Sequence, residues 1–113
     1  MYVVSRKDLA PGYQIAQSAH AIADFTIKHP QLAAEWHKES NYIVCLSAKD
    51  ESELCHLAYT LESRGIPFIQ FIEPDLGNQT TSIAAYGEEA GKLFSNLPLA
   101  LKELGRQQTV KEI

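Results

Sequence analysis

The chain has 113 residues, the size of one ordinary domain, long enough to bury a core of its own and too short for two. Its 45% hydrophobic and 21% charged content fits a globular protein and excludes a disordered one. A formal charge of −4 argues against tight nonspecific binding to nucleic acid, where phosphate neutralisation by Lys and Arg supplies most of the affinity.

Tyr2 to Ser5 reads as a first strand, and Pro11-Gly12 then breaks the chain. A helix follows, in which Ile15, Ala19, Ile22 and Thr26 recur at helical spacing and form its expected core face. On the neighbouring face Tyr13, Gln17, His20 and Asp24 line up as a polar stripe. His29-Pro30 interrupts the pattern, because the residue before proline is pushed out of the helical region. A second helix, Gln31 to Lys38, covers apolar surface with Leu32 and Trp36.

The short, β-prone run Tyr42 to Leu46 reads as a buried strand. Past the polar stretch Ser47 to Glu51, Leu54, Leu57, Ala58 and Leu61 mark an amphipathic helix that Gly65 stops. Phe68 to Ile72 is a third strand and Thr80 to Tyr86 a fourth, joined by the turn-forming segment Glu73 to Gln79. Glu88 to Leu104 returns to helix, interrupted at Pro98. The expected domain is therefore residues 1–104, with a polar, frayed tail over 105–113.

The order βααβαββα implies an α/β fold: a mixed sheet with helices on both faces and an antiparallel pairing of the last two strands. No apolar run approaches the roughly 20 residues of a membrane span, and Met1 runs into a strand without a signal-peptide pattern. A cytoplasmic protein without a membrane partner is expected. Cys45 and Cys55 lie in different elements with no His/Cys cluster around them, so buried thiols are expected rather than a disulfide or a metal site.

The pattern Arg-x-Asp-Leu-x-x-Gly formed by Arg6, Asp8, Leu9 and Gly12, followed by Ala16-Gln17 and His20-Ala21, resembles the opening motif of the type II peptidyl-tRNA hydrolases, the archaeal and eukaryotic class. The resemblance continues through Lys49 to Leu54, then Glu73-Pro74 and Thr81 to Ile83, and spans the chain to about Leu104. It implies a three-layer α/β/α domain with a four-stranded mixed sheet. The chain looks like a short, divergent branch: where the family typically has Gly-Lys, with the lysine assigned to the catalytic or RNA-contacting site, it has Gly12-Tyr13.

Hydrolysing the ester between a peptide and the 3′ ribose of tRNA requires an activated water and stabilisation of the oxyanion. His20 has the pKa class of a general base, although a helical histidine is equally at home in a structural role. Gln17, one turn earlier, can donate to a carbonyl or phosphate oxygen. Glu73 occupies about the place of the family's functional aspartate, Asp75 keeps the residue type two positions on, and Thr81 matches a family threonine near the site. Taken on their own, the two acids read equally as solvated loop carboxylates. Tyr13 either contacts the substrate or packs at the helix start; it has no fixed positive charge to offer. Arg6 completes the substrate-binding candidates, whereas His37 and His56 read as surface residues.

Neither a Gly-rich phosphate loop nor a CxxC, HExxH or GxSxG motif occurs, so the signatures of metal, nucleotide and serine-hydrolase mechanisms are missing. The residues support a cofactor-free esterase acting on the 3′ end of peptidyl-tRNA. The alternative is a noncatalytic tRNA-, peptide- or protein-binding module on the same fold. A homodimer stays open.

Overall fold

The computed structural model describes residues 1–102. The first strand, β1 (Tyr2–Arg6), is central, and the whole of Val3 to Arg6 is buried. It leads into α1 (Pro11–Lys28), which opens with proline at the first helical position, where the missing N–H is no loss. Helix α2 (Pro30–Glu39) follows, then strand β2 (Val44–Ala48), α3 (Glu51–Ser63), β3 (Phe68–Glu73), β4 (Gln79–Ala85) and α4 (Glu88–Leu93). A single 3-10 turn, Pro74–Leu76, connects β3 to β4, and Gly77 leaves it at φ 62°, where a side chain is disfavoured.

The strand order is β2-β1-β4-β3. β1 and β2 run parallel, while β4 is antiparallel to both β1 and β3, so the sheet is mixed. Helices α1 and α2 cover one face over Val3, Phe25, Trp36, Ile69 and Ala84; α3 and α4 cover the other over Val4, Leu54, Leu61, Ile83 and Phe94. The fold is the expected three-layer α/β/α arrangement with a four-stranded mixed sheet. None of the described helices is long and apolar enough to cross a membrane.

Four expectations need correction. The core face of α1 is not the Ile15, Ala19, Ile22, Thr26 stripe: Ile15 is 62% exposed and Ala19 is exposed too, while Gln14, Gln17, Ala21 and Phe25 are buried. The sheet beneath the first two turns is polar there, so the helix turns amides toward it. Strand β2 begins two residues late, because the Tyr42 carbonyl accepts from the Met1 ammonium (3.0 Å) and the Trp36 indole (2.6 Å) rather than from a ladder partner.

The last helix ends at Leu93, well before Pro98. Phe94 plugs the α3 face, and the chain then lies along the edge of β2, with Ser47 N donating to Pro98 O and Ala100 N to Cys45 O, both at 2.9 Å. The stretch 103–104 and the tail 105–113 lie outside the described residues. Finally, Cys45 and Cys55 are both exposed. Cys45 sits on the edge strand in register with Val3, beyond the reach of α1, which packs over β1, β4 and β3.

Candidate functional site

A β-bulge builds the site. Across β3 and β4, Phe71 pairs with Ser82 but Ile72 pairs with Thr80, so Thr81 has no partner of its own. An extra residue of this kind breaks the strict alternation of faces. Thr80 faces α3: its hydroxyl accepts from Gln70 Nε2 at 2.7 Å and lies 3.8 Å from Cys55 Sγ. Thr81 and Ser82, although adjacent, both turn to α1. Thr81 Oγ1 donates to Gln17 Oε1 at 2.6 Å, and Ser82 Oγ donates to the Gln17 carbonyl at 2.7 Å.

The Gln17 amide is thereby oriented. With Oε1 accepting from Thr81, its Nε2 donates to Glu73 Oε1 at 2.9 Å, and the other Glu73 oxygen accepts from the Asp75 backbone N–H at 3.4 Å. Gln17 and Thr81 are 2% and 0% exposed, whereas Glu73 is half-buried at the sheet end. A buried amide running from a buried hydroxyl to a surface carboxylate holds that carboxylate in one orientation.

One turn along α1, the His20 ring stacks on Phe71, with centroids 4.8 Å apart and planes 7° from parallel. Gln17 with Glu73 and His20 with Phe71 thus form two successive rungs between α1 and β3. The helix spacing of three residues matches the strand spacing of two, with the elements running in opposite senses. His20 remains exposed to solvent. Tyr13, one turn before Gln17, is 41% exposed rather than packed, and Asp24 is half-buried one turn beyond His20.

Arg6 belongs to a different knot. Its Nε and Nη2 donate to the two carboxylate oxygens of Asp8 at 3.0 and 2.8 Å, and Nη1 donates to Gln79 Oε1 (2.8 Å) and Thr80 O (3.2 Å). The hydrogen bonds that Arg6 donates to Asp8, reinforced by the charge of Asp8 and by those of Glu51 and Asp50, raise the guanidinium pKa; the same bonds pull the Asp8 carboxyl below its ordinary value. Arg6 ties the end of β1 to the start of β4. The structure therefore joins Gln17, Glu73 and Thr81 directly, sets His20 on the adjacent rung and Tyr13 on the turn before. Asp75 is exposed and contributes a backbone N–H, and Arg6 stands apart.

The bulge and the Phe71 platform are what sequence reasoning missed. The run Thr80-Thr81-Ser82 carried a signal, since three successive hydroxyl residues in an apolar strand do not fit a two-residue period. Among the described residues no group of three His, Cys, Asp or Glu side chains is placed to hold a metal ion.

A family model described as "Peptidyl-tRNA hydrolase PTH2" matches residues 1–89. The chain belongs to this family. The match runs from β1 to the start of α4 and so includes every residue of the Gln17, Glu73, Thr81 and His20 cluster. No curated protein matches the chain.

Proposed function

We propose that the chain is a cofactor-free esterase that cleaves the bond between a peptide and the 3′ ribose of tRNA. The observation that carries this reading is the Thr81–Gln17–Glu73 line, which orients a half-buried carboxylate at the end of β3 beside α1. In this scheme Glu73 takes a proton from the attacking water, which adds to the ester carbonyl carbon. The tetrahedral intermediate collapses by expelling the ribose oxygen, which takes up the proton that Glu73 had accepted. His20, stacked on Phe71 one rung away, presents its ring nitrogens to the ester and to that oxygen. Gln17 and Thr81 are positioning residues that act through Glu73, and Asp75 closes the loop around the carboxylate through its N–H.

The acceptor end of the RNA meets the start of α1. That terminus has no side-chain cap and no acid in its first turn, leaving the Gly12 and Tyr13 N–H groups and the positive end of the helix dipole for phosphate. Tyr13 contributes hydrogen bonding or stacking there without adding charge. Arg6 shapes the site indirectly, by fixing the strand ends.

Release of peptide from purified peptidyl-tRNA tests the scheme. Glu73→Gln and His20→Ala should each lower turnover about a hundredfold or more, the scale of a positioned acid–base group. The thermal midpoint should be retained in both. Wild-type turnover by Glu73→Gln removes the carboxylate from the mechanism. The exposed neutral phenol at position 13 favours the second reading, a noncatalytic binding module, and wild-type protein that binds tRNA ends without releasing peptide establishes it.

A further inference from the structure

The rings of His20 and Phe71 lie 7° from parallel with centroids 4.8 Å apart, and Phe71 is half-buried against the α1 side of the sheet. Because the phenyl ring covers one face of the imidazole, the solvent exposure of His20 falls on its other face and its edge. A flat, solvent-facing ring whose plane is held by a second ring is a stacking platform. Unpaired nucleic-acid bases use such platforms, since every base offers a π-face. The esterase scheme calls on the nitrogens at the edge of His20 and leaves this open face without an occupant.

A second group on the same stripe is not used by the fold. Asp24 lies one turn beyond His20, about 6 Å along the helix axis, and is half-buried. Among the described residues its carboxylate forms no ion pair, not even with Lys28 a further turn along α1, and it accepts no hydrogen bond. A half-buried carboxylate has given up part of its hydration, and an N–H donor carried by a ligand restores a partner.

The covalent structure of the substrate selects the occupant. With the ester carbon at Glu73 and the ribose oxygen beside His20, the base joined to that ribose falls on the His20 and Phe71 rung. The 3′-terminal nucleotide of tRNA is adenosine, whose 6-amino group is a hydrogen-bond donor on the edge of the ring. Resting on the esterase scheme for the place of the ribose, we infer that this terminal adenine stacks on the open face of His20 and donates from its 6-amino group to Asp24. Asp24 is then a specificity-determining residue: a purine without the amino group keeps the stack and loses the bond. The negative charge of Asp24 meets the base edge and not the RNA backbone, whose phosphate sits at the other end of the stripe.

The test is a titration of the isotope-labelled full chain with adenosine 5′-monophosphate, purine riboside 5′-monophosphate and ribose 5-phosphate, read by aromatic and amide chemical shifts. The adenosine nucleotide should give saturable shifts at His20, Asp24 and Phe71, with a Kd of about the millimolar range for so small a molecule. The other two should bind about tenfold more weakly or worse, one for want of the amino donor and the other for want of the ring. In Asp24→Ala the two nucleotides should bind within about twofold of each other, because the acceptor that tells them apart is gone. With peptidyl-tRNA the same variant should raise KM about fivefold or more, and by more than it lowers kcat. Nucleotide binding with this preference, in a chain that releases no peptide, supports the base site and sinks the esterase scheme. Equal binding of purine riboside or ribose phosphate, an unchanged preference in Asp24→Ala, shifts that spare His20, or absence of saturation would each overturn the base site, whether or not peptide is released.

Discussion

Replacing Gln17 by methionine isolates what the buried amide does. Methionine is close to glutamine in volume and flexibility, so no large cavity term enters and the change is one of hydrogen bonding. Thr81 is fully buried and its hydroxyl has no water to turn to; leaving that donor unpaired costs about 1–3 kcal/mol. Glu73 is half-buried and rehydrates, so its lost bond costs nearer the net value of an ordinary hydrogen bond, about 1 kcal/mol. Gln17→Met should therefore destabilise the fold by about 2–4 kcal/mol in urea unfolding. Thr81→Val alone strands Gln17 Oε1 and should cost about 1–3 kcal/mol. The decisive measurement is the double variant: with donor and acceptor both gone, no orphan remains, and its cost should fall well below the sum of the two single costs. A strictly additive cycle, or a Gln17→Met cost within 0.5 kcal/mol of zero as for an ordinary surface change, would refute the reasoning.

Gly12→Ala should raise stability by about 0.5–1 kcal/mol, since a Cβ there meets nothing within 4 Å and alanine is the better helix former; if RNA approaches this helix start, the same methyl should lower the rate of peptide release. Asp8→Asn tests the Arg6 knot by acid unfolding. The Asp8 carboxyl is pulled below its ordinary 3.8, so its contribution is present above that pH and lost as pH falls through the lower folded value. With the Asp8 side chain 42% exposed, wild type and variant should differ by about 1 kcal/mol or less at neutral pH and converge below pH 3.8. Tyr13→Lys should tighten tRNA binding and steepen its salt dependence by about one counterion, and identical slopes would show that no phosphate lies at this position.

Element order and sheet class were legible because they rest on strong local signals: Pro11, Pro30 and Gly65 punctuate the chain, and the seven-residue connection from Glu73 to Gln79 is too short for a crossover. What stayed hidden depends on tertiary partners. The apolar count on α1 favours Ile15 and Ala19, yet Thr81 on the sheet beneath and the Leu9 carbonyl in the preceding turn offer partners that stabilise amides at 17 and 14 instead. The early end of α4 follows from the pairing of Leu99 with Leu46 along the β2 edge, a contact that local propensity does not encode. Of the candidate site, the residue types were readable and the connectivity was not. The Gln17 to Glu73 bond spans 56 residues, and the bulge that makes it possible appears only when Thr81 is seen without a strand partner.

The Thr81–Gln17–Glu73 line is not what stability alone would select. Burying a leucine-sized side chain contributes about 1.5–3 kcal/mol, while a satisfied hydrogen bond nets only about 0.5–1.5, so an apolar pair across α1 and β4 would hold the helix at least as well. The polar line also ends on a half-buried carboxylate at the sheet end rather than closing on itself within the core. Under the proposed function that asymmetry suits a carboxylate that is to meet substrate, and a variant that keeps the fold tests it. The Gln17→Met/Thr81→Val variant should fold with nearly wild-type stability, yet release peptide at least about tenfold more slowly, because Glu73 is then free to turn into solvent. Its remaining activity should lie above that of Glu73→Gln, which in the proposed scheme lacks the base altogether. If the double variant turns over at the wild-type rate, the orientation of Glu73 by Gln17 plays no part in catalysis, and the buried line serves only to set the bulge.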